Sequence, residues 1–162
     1  MAGFELSIER HGKVKRGMHP ITVEASPVAV AAELDTRLGQ FNEEQIGPRN
    51  TLNFVLSVRD GRGKLVAGLV GETLWNALLV SVLWVHEQHR KSGYGTALMA
   101  RAEQIAEERA CEVVFLNTMT FQAPGFYSKL GYKVFGELTD VPRGYGRLWF
   151  CKRLRRGGSD AV

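Results

Sequence analysis

The spacing of apolar positions changes several times along the chain, and each change predicts an element. From Phe4 to Pro27, "FELSIERHGKVKRGMHPITVEASP" alternates polar and apolar residues around glycine-bearing turns, predicting one or two strands. In "SPVAVAAELDTRLGQF" the period lengthens. Val30, Leu34 and Leu38 recur at i, i+4 and i+8 behind a Ser26 N-cap and a Pro27 at the first helical position, so an amphipathic helix is expected. "NEEQIGPRN" reads as loop, or as a short second helix ended near Gly47-Pro48. "LNFVLSVRD" and "KLVAGLVGETLW", joined through Gly-Arg-Gly, form a hairpin. "LLVSVLWV" (Leu78–Val85) is apolar on both faces, as for a strand at the centre of a covered sheet.

A long helix is predicted from Tyr94 to Glu108, with Tyr94, Leu98, Ala102, Ile105 and Ala106 inward and Glu103, Gln104 and Glu107 toward water. "EVVFLNT" is a buried strand. "APGFYSKLG" is a short helix with Pro124 in its first turn and Gly131 just past its end. "YKVFGEL" and "GRLWFCKRL" close the chain as strands. The order predicts an α/β sandwich around a mixed sheet, with residues 1–156 as one domain and 157–162 as a disordered tail.

The composition, 44% hydrophobic and 23% charged over 162 residues, is that of a soluble globular domain. A net charge of +4 invites an anionic partner. Lys152, Arg153, Arg155 and Arg156 read as a solvated basic end, and no nucleic-acid or membrane partner is expected. Cys111 and Cys151 fit no CxxC pattern, so neither a disulfide framework nor structural zinc is indicated. His86 and His89 stand in a loop without an evident third ligand, and no metal is expected. "MAGFELSIERHGK" has no apolar leader segment, and Leu74–Val85, interrupted by Asn76 and Ser81, falls short of the ~20 residues that span a bilayer. The expectation is a cytoplasmic protein.

The chemistry concentrates in "RKSGYGT" (Arg90–Thr96), which opens the long helix. A helix N-terminus offers unpaired N–H groups and a positive dipole; glycines remove the Cβ atoms that would hold a ligand away, and Arg90 and Lys91 add cations at the rim. A tight strand-to-helix turn would use the same glycines. No P-loop string GxxxxGK[ST] occurs, and a dinucleotide-binding GxGxxG would need glycine where Leu98 stands.

The longer string is more specific. "VSVLWV", four residues, "RKSGYG" and a long helix resemble the R-x-x-G-x-G segment of the GNAT superfamily of N-acetyltransferases, and "FQAPGFYSKLGYKVFGEL" resembles its second recurrent element. The resemblance covers about Leu78 to Leu138 and implies a GNAT-type fold whose sheet splays between the strands at Leu78–Val85 and Glu112–Asn117. It implies acetyl-CoA as donor, with the pantetheine arm beside Trp84 and Val85. The pyrophosphate would meet Arg90 and the N–H groups of Lys91, Ser92, Gly93, Tyr94, Gly95 and Thr96.

Tyr127 is implied as the acid that protonates the departing thiolate; its ordinary pKa of ~10 keeps it protonated at pH 7. A lysine-like amine is neutral at pH 7 only at a cost of about 4.6 kcal/mol, so a base is sought. Glu72 is the first candidate, ahead of Glu43, Glu44, Glu87 and an ordered water. Many members carry Asn, in contact with the cofactor arm, where this chain has Thr120. The implied activity is acetyl transfer to a primary amine by direct attack in a ternary complex, with a small molecule as acceptor because no docking domain is appended. A protein lysine or N-terminus, and a non-catalytic acyl-CoA-binding module, stand as alternatives. Exposed strand edges in such folds often pair into dimers, so a homodimer is left open, with no residue of the sequence deciding it.

Overall fold

The computed structural model describes His19 and residues 21–154. The expected opening strands and the C-terminal tail lie largely outside the described residues. The chain divides into two units, residues 1–45 and 46–162.

The first unit contributes helix α1, Pro27–Ile46, which ends one residue into the second. It runs through "NEEQI" without interruption, because that segment holds good helix formers and no breaker before Gly47-Pro48. Along it Arg37 bonds Glu33 one turn back at 2.7 Å, and the Thr36 hydroxyl donates to the Ala32 carbonyl at 2.8 Å.

The second unit is built on a six-stranded sheet in the order β1-β2-β3-β4-β6-β5. The strands are β1 Leu52–Arg59, β2 Leu65–Leu74, β3 Ala77–Val85, β4 Val113–Met119, β5 Lys133–Thr139 and β6 Gly146–Arg153. Helix α2, Tyr94–Glu108, joins β3 to β4, and the short α3, Pro124–Lys129, joins β4 to β5. Only the β3–β4 pair is parallel, as a crossover through α2 requires, so the sheet is mixed. The β1–β2 turn is held by Asp60, whose carboxylate accepts the N–H groups of Arg62 and Lys64 at 2.9 Å each.

The core lies on one face of this sheet. Leu98, Met99, Ala102 and Ala106 of α2 pack on Ala67 and Leu69 of β2, Leu78 and Val80 of β3, and Val114 and Leu116 of β4. Alanines at 102 and 106 bring the helix close to the strands. The buried stripe is rotated from the expected one: Met99 is inside and Ile105 only half-buried. Glu103, expected toward water, is instead held between β6 and the start of β5. It accepts the Tyr132 hydroxyl at 2.8 Å and the Lys152 ammonium at 2.7 Å. A cation supplied from 49 residues away compensates that burial, and helical periodicity carries no trace of it.

Two irregularities in β3 position the cleft. Val70 of β2 stands opposite Val82, and its neighbour Gly71 opposite Val80, so Ser81 is the extra residue of a β-bulge. On the other side, pairing with β4 runs only from Ala77–Val113 to Val80–Leu116. Beyond that point β3 continues to Val85 and β4 to Met119, unpaired with each other. The covered central strand that the sequence predicts therefore holds only for the first half of β3; Val82 and Trp84 are 50% and 41% exposed.

Candidate active site

Where β3 and β4 part, a cleft of about 980 Å³ opens. Its β3 wall runs from Ser81 to Val85. Past the last pairing with Leu116 the outward backbone N–H and C=O groups of this stretch have no β4 partner, an edge ready to bond an extended ligand arm. Its opposite wall holds Asn117 and Thr118 of β4, then Phe121, Gln122 and Ala123, then Phe126 and Tyr127 of α3.

One end of the cleft is basic. After β3 the chain makes a single 3-10 turn, Glu87–His89, and enters α2 through Arg90–Gly93. Arg90 donates from Nε to the Val85 carbonyl at 3.3 Å, which ties the loop back to the strand. Gly93 is the N-cap, at φ 87°, a left-handed conformation that L side chains rarely adopt. It has no side chain with which to cap the helix, and an added Cβ would meet nothing within 4 Å. The N–H groups opening α2 therefore face space that a ligand can enter. Gly95 answers a different need: a Cβ there would lie 3.2 Å from the Phe126 ring. One glycine makes the turn and keeps the donors accessible, and the other lets α3 approach α2.

Tyr127 enters from the core side. Its ring packs against Phe126, Tyr132 and Phe150 at centroid distances of 5.1, 6.2 and 5.8 Å, and the residue is 8% exposed. Its hydroxyl makes no hydrogen bond with another described residue, and the side chain lines the cleft. Burial pushes its pKa above the ordinary phenol value. At neutral pH it is a protonated phenol beside the gap.

Of the residues singled out in the sequence, Trp84, Val85, Arg90, Lys91, Gly93, Tyr94, Gly95, Thr96 and Tyr127 are brought together along this cleft. Ser92 is exposed and outside the lining. Thr120 is turned elsewhere: its hydroxyl accepts the Gly146 N–H at 3.0 Å, closing the β4–β6 end. Asn117 and Gln122 stand in the wall instead. Gln122 is locked by accepting the Thr118 hydroxyl and the Met119 N–H, both at 2.9 Å. Glu72 is half-buried on β2 opposite Leu79, away from the lining, and no carboxylate is among the described residues of the cleft wall. No group of His, Cys, Asp and Glu suited to a metal ion is found among the described residues, and no described helix is long and apolar enough to cross a membrane.

Residues 18–132, more than half of the chain, match the model of the acetyltransferase (GNAT) family. The chain belongs to the GNAT acetyltransferase family. This acetyltransferase is 45% identical over 94 residues to blasticidin-S acetyltransferase of Streptomyces morookaense, a match spanning 57% of this chain and 69% of that protein. A crystal structure of an acetyltransferase from Bacillus cereus superposes with a TM-score of 0.77 at 30% identity, covering 85% of this chain and 98% of the other. An aminoglycoside 6'-N-acetyltransferase complexed with coenzyme A shares the fold at 18% identity, with a TM-score of 0.58 and coverage of 82% and 89%. The mixed six-stranded sheet is thus a GNAT fold, and the chain is an N-acetyltransferase.

Proposed function

We propose that this acetyltransferase takes its acetyl group from acetyl-CoA and passes it to the primary amine of a small molecule by direct attack within a ternary complex. The observation that carries the reading is the parting of β3 and β4 after Val80 and Leu116, with a basic helix N-terminus at one end of the gap and Tyr127 beside it. The residues present fit the donor. The opening N–H groups of α2 and the cations of Arg90 and Lys91 suit a pyrophosphate, and the open edge of β3 at Trp84 and Val85 suits an amide-bearing arm. A coenzyme A-bound protein of the same fold supports this.

The thioester supplies an activated acetyl group. The chain holds it in the gap so that a neutral amine attacks the carbonyl carbon, a C–N bond forms and the C–S bond breaks. Backbone N–H groups of the unpaired β3 edge polarise the carbonyl, and Tyr127 gives its proton to the departing sulfur. The amine must also lose a proton. With no carboxylate in the described wall, relay through water to bulk is favoured over Glu72, which lies two strands away from β4. A small-molecule acceptor is favoured by the relative whose name states such a substrate, blasticidin-S acetyltransferase.

The test is calorimetric titration with acetyl-CoA, followed by assay of CoA release over a panel of amines and of lysine-bearing and N-terminal peptides. Tight binding and release with small amines is expected. Release with peptides alone would replace the acceptor class. Binding with no release would make the chain a non-catalytic acyl-CoA binder.

A further inference from the structure

Arg147 is a cation that the proposed reaction has not used. On β6, Phe150 is buried in the core and Leu148 packs against it, so strand alternation puts Arg147 and Trp149 on the opposite face of the sheet. Residues directly opposite in an antiparallel pair share a face, so Asn117, opposite Trp149, and Met119, opposite Arg147, lie there too. Asn117 lines the cleft. Arg147 therefore stands about 7 Å further along, two residues on by register. From the loop side Tyr145 is edge-on to Phe121, another cleft residue, at a centroid distance of 5.0 Å. Arg147 is outside the cleft lining itself and lies next to two parts of it, Asn117 by register and Phe121 through Tyr145.

Its electrostatic position is unusual. Nε of Arg147 is buried and makes no hydrogen bond among the described residues. A guanidinium cannot shed its charge, so with Nε enclosed and unpaired the cation favours an anion at its terminal N–H groups. The nearby carboxylates are turned elsewhere: Asp140 accepts the Gly144 N–H at 2.6 Å, and Glu137 is opposite Leu148, on the core face. The phosphates of the donor have their own cations, Arg90 and Lys91, at the α2 end. Arg147, on the face of the sheet away from the core, has no such anion to meet and no carboxylate partner among the described residues.

We propose that the acceptor amine also carries a carboxylate, and that Arg147 binds it. The inference rests on the acetyl-transfer reading above and narrows it to amino-carboxylate acceptors. One planar fork of N–H donors matches one planar carboxylate in bidentate fashion. The anchored carboxylate turns the amine at the other end of the molecule toward the gap between β3 and β4.

The experiment measures CoA release from acetyl-CoA with α- and β-amino acids, each beside its own amide, for the parent protein and for Arg147→Gln, Arg147→Lys and Arg147→Glu. Acetyl-CoA affinity by calorimetry reports the fold. The parent should favour carboxylate over amide by roughly 10- to 100-fold in kcat/KM, mostly through KM. Arg147→Gln should bring that ratio near one, and Arg147→Glu should turn preference toward diamines. Where Arg147→Gln fails to fold, Arg147→Lys keeps the charge, loses the fork and should lower the ratio in part. A parent that does not discriminate, or a ratio unchanged in Gln and Lys variants, overturns the inference while leaving acetyl transfer standing. Acetyl-CoA binding without release to any amine, charged or neutral, overturns the acetyl-transfer reading and the inference with it.

Discussion

At the scale of single residues, the site depends on groups whose roles separate under substitution. Tyr127→Phe removes a proton donor and leaves the packing on Phe126, Tyr132 and Phe150 nearly intact. We expect kcat to fall by roughly 10²- to 10⁴-fold, with acetyl-CoA affinity unchanged by calorimetry. Its titration has a definite sign. Burial raises the native pKa, so the acid stays protonated past pH ~10, where an unfolded tyrosine is half ionised. The alkaline fall in kcat assigned to this group should lie above that value. Stability contributed by the raised pKa is full below ~10 and is lost as pH rises through the native value, because the unfolded chain then holds fewer protons. A kcat limb below pH 9 that persists in the Phe variant would assign the acid to another group. Gly93→Val and Gly95→Ala also separate. The first strains φ and fills the open cradle, so acetyl-CoA binding should be lost in a folded protein. The second pushes Phe126 and should lower thermal stability as well.

At the scale of elements, the cleft exists because β3 breaks its own regularity. A deletion of Ser81 removes the bulge, and with it the local bend and extra twist of β3, while Val82 to Val85 keep their β2 partners. Acetyl-CoA titration should then give no binding, and retained affinity would show that the bulge does not shape the site. Between elements, Glu103 joins α2 to Tyr132 and to Lys152 of β6. The Tyr132 phenol is held far above its ordinary range by burial first, then by the Glu103 charge. Because the Lys152 and Glu103 side chains are only 29% and 17% exposed, Glu103→Gln should cost about 1–3 kcal/mol in denaturant unfolding. It sits on the face of α2 away from the cleft lining, so KM for the donor should hold.

At the scale of the whole molecule, donor binding and folding are linked. A ligand present at a hundred times its Kd stabilises the native state by about 2.7 kcal/mol, which for a chain of this size raises Tm by roughly 5–10 °C. Acetyl-CoA should produce such a shift, weakening as salt screens Arg90 and Lys91. No shift with folded protein would count against the cradle.

Much of this was legible in the sequence, since the strands, the helices α2 and α3, and the phosphate-suited loop each follow from local signals: alternation, 3.6-residue spacing, and glycine or proline at fixed offsets. Tyr127 and the Arg90–Thr96 loop could be named because a short contiguous string carries them. What lay beyond reach depended on pairing between distant segments. The sequence places Thr120 and Asn117 three residues apart, and only the β4–β6 register turns one hydroxyl to Gly146 and sets the other side chain in the cleft wall. The polar Ser81 inside an apolar run was a visible mark, but that it is a bulge follows only from its β2 partners. Arg147 looked like any strand-borne cation until the core side of β6 was known. Local chemistry fixes which conformations a segment prefers, and therefore the elements and the family. Which side chains meet across the gap is decided by register and facing, which arise only when the sheet is assembled.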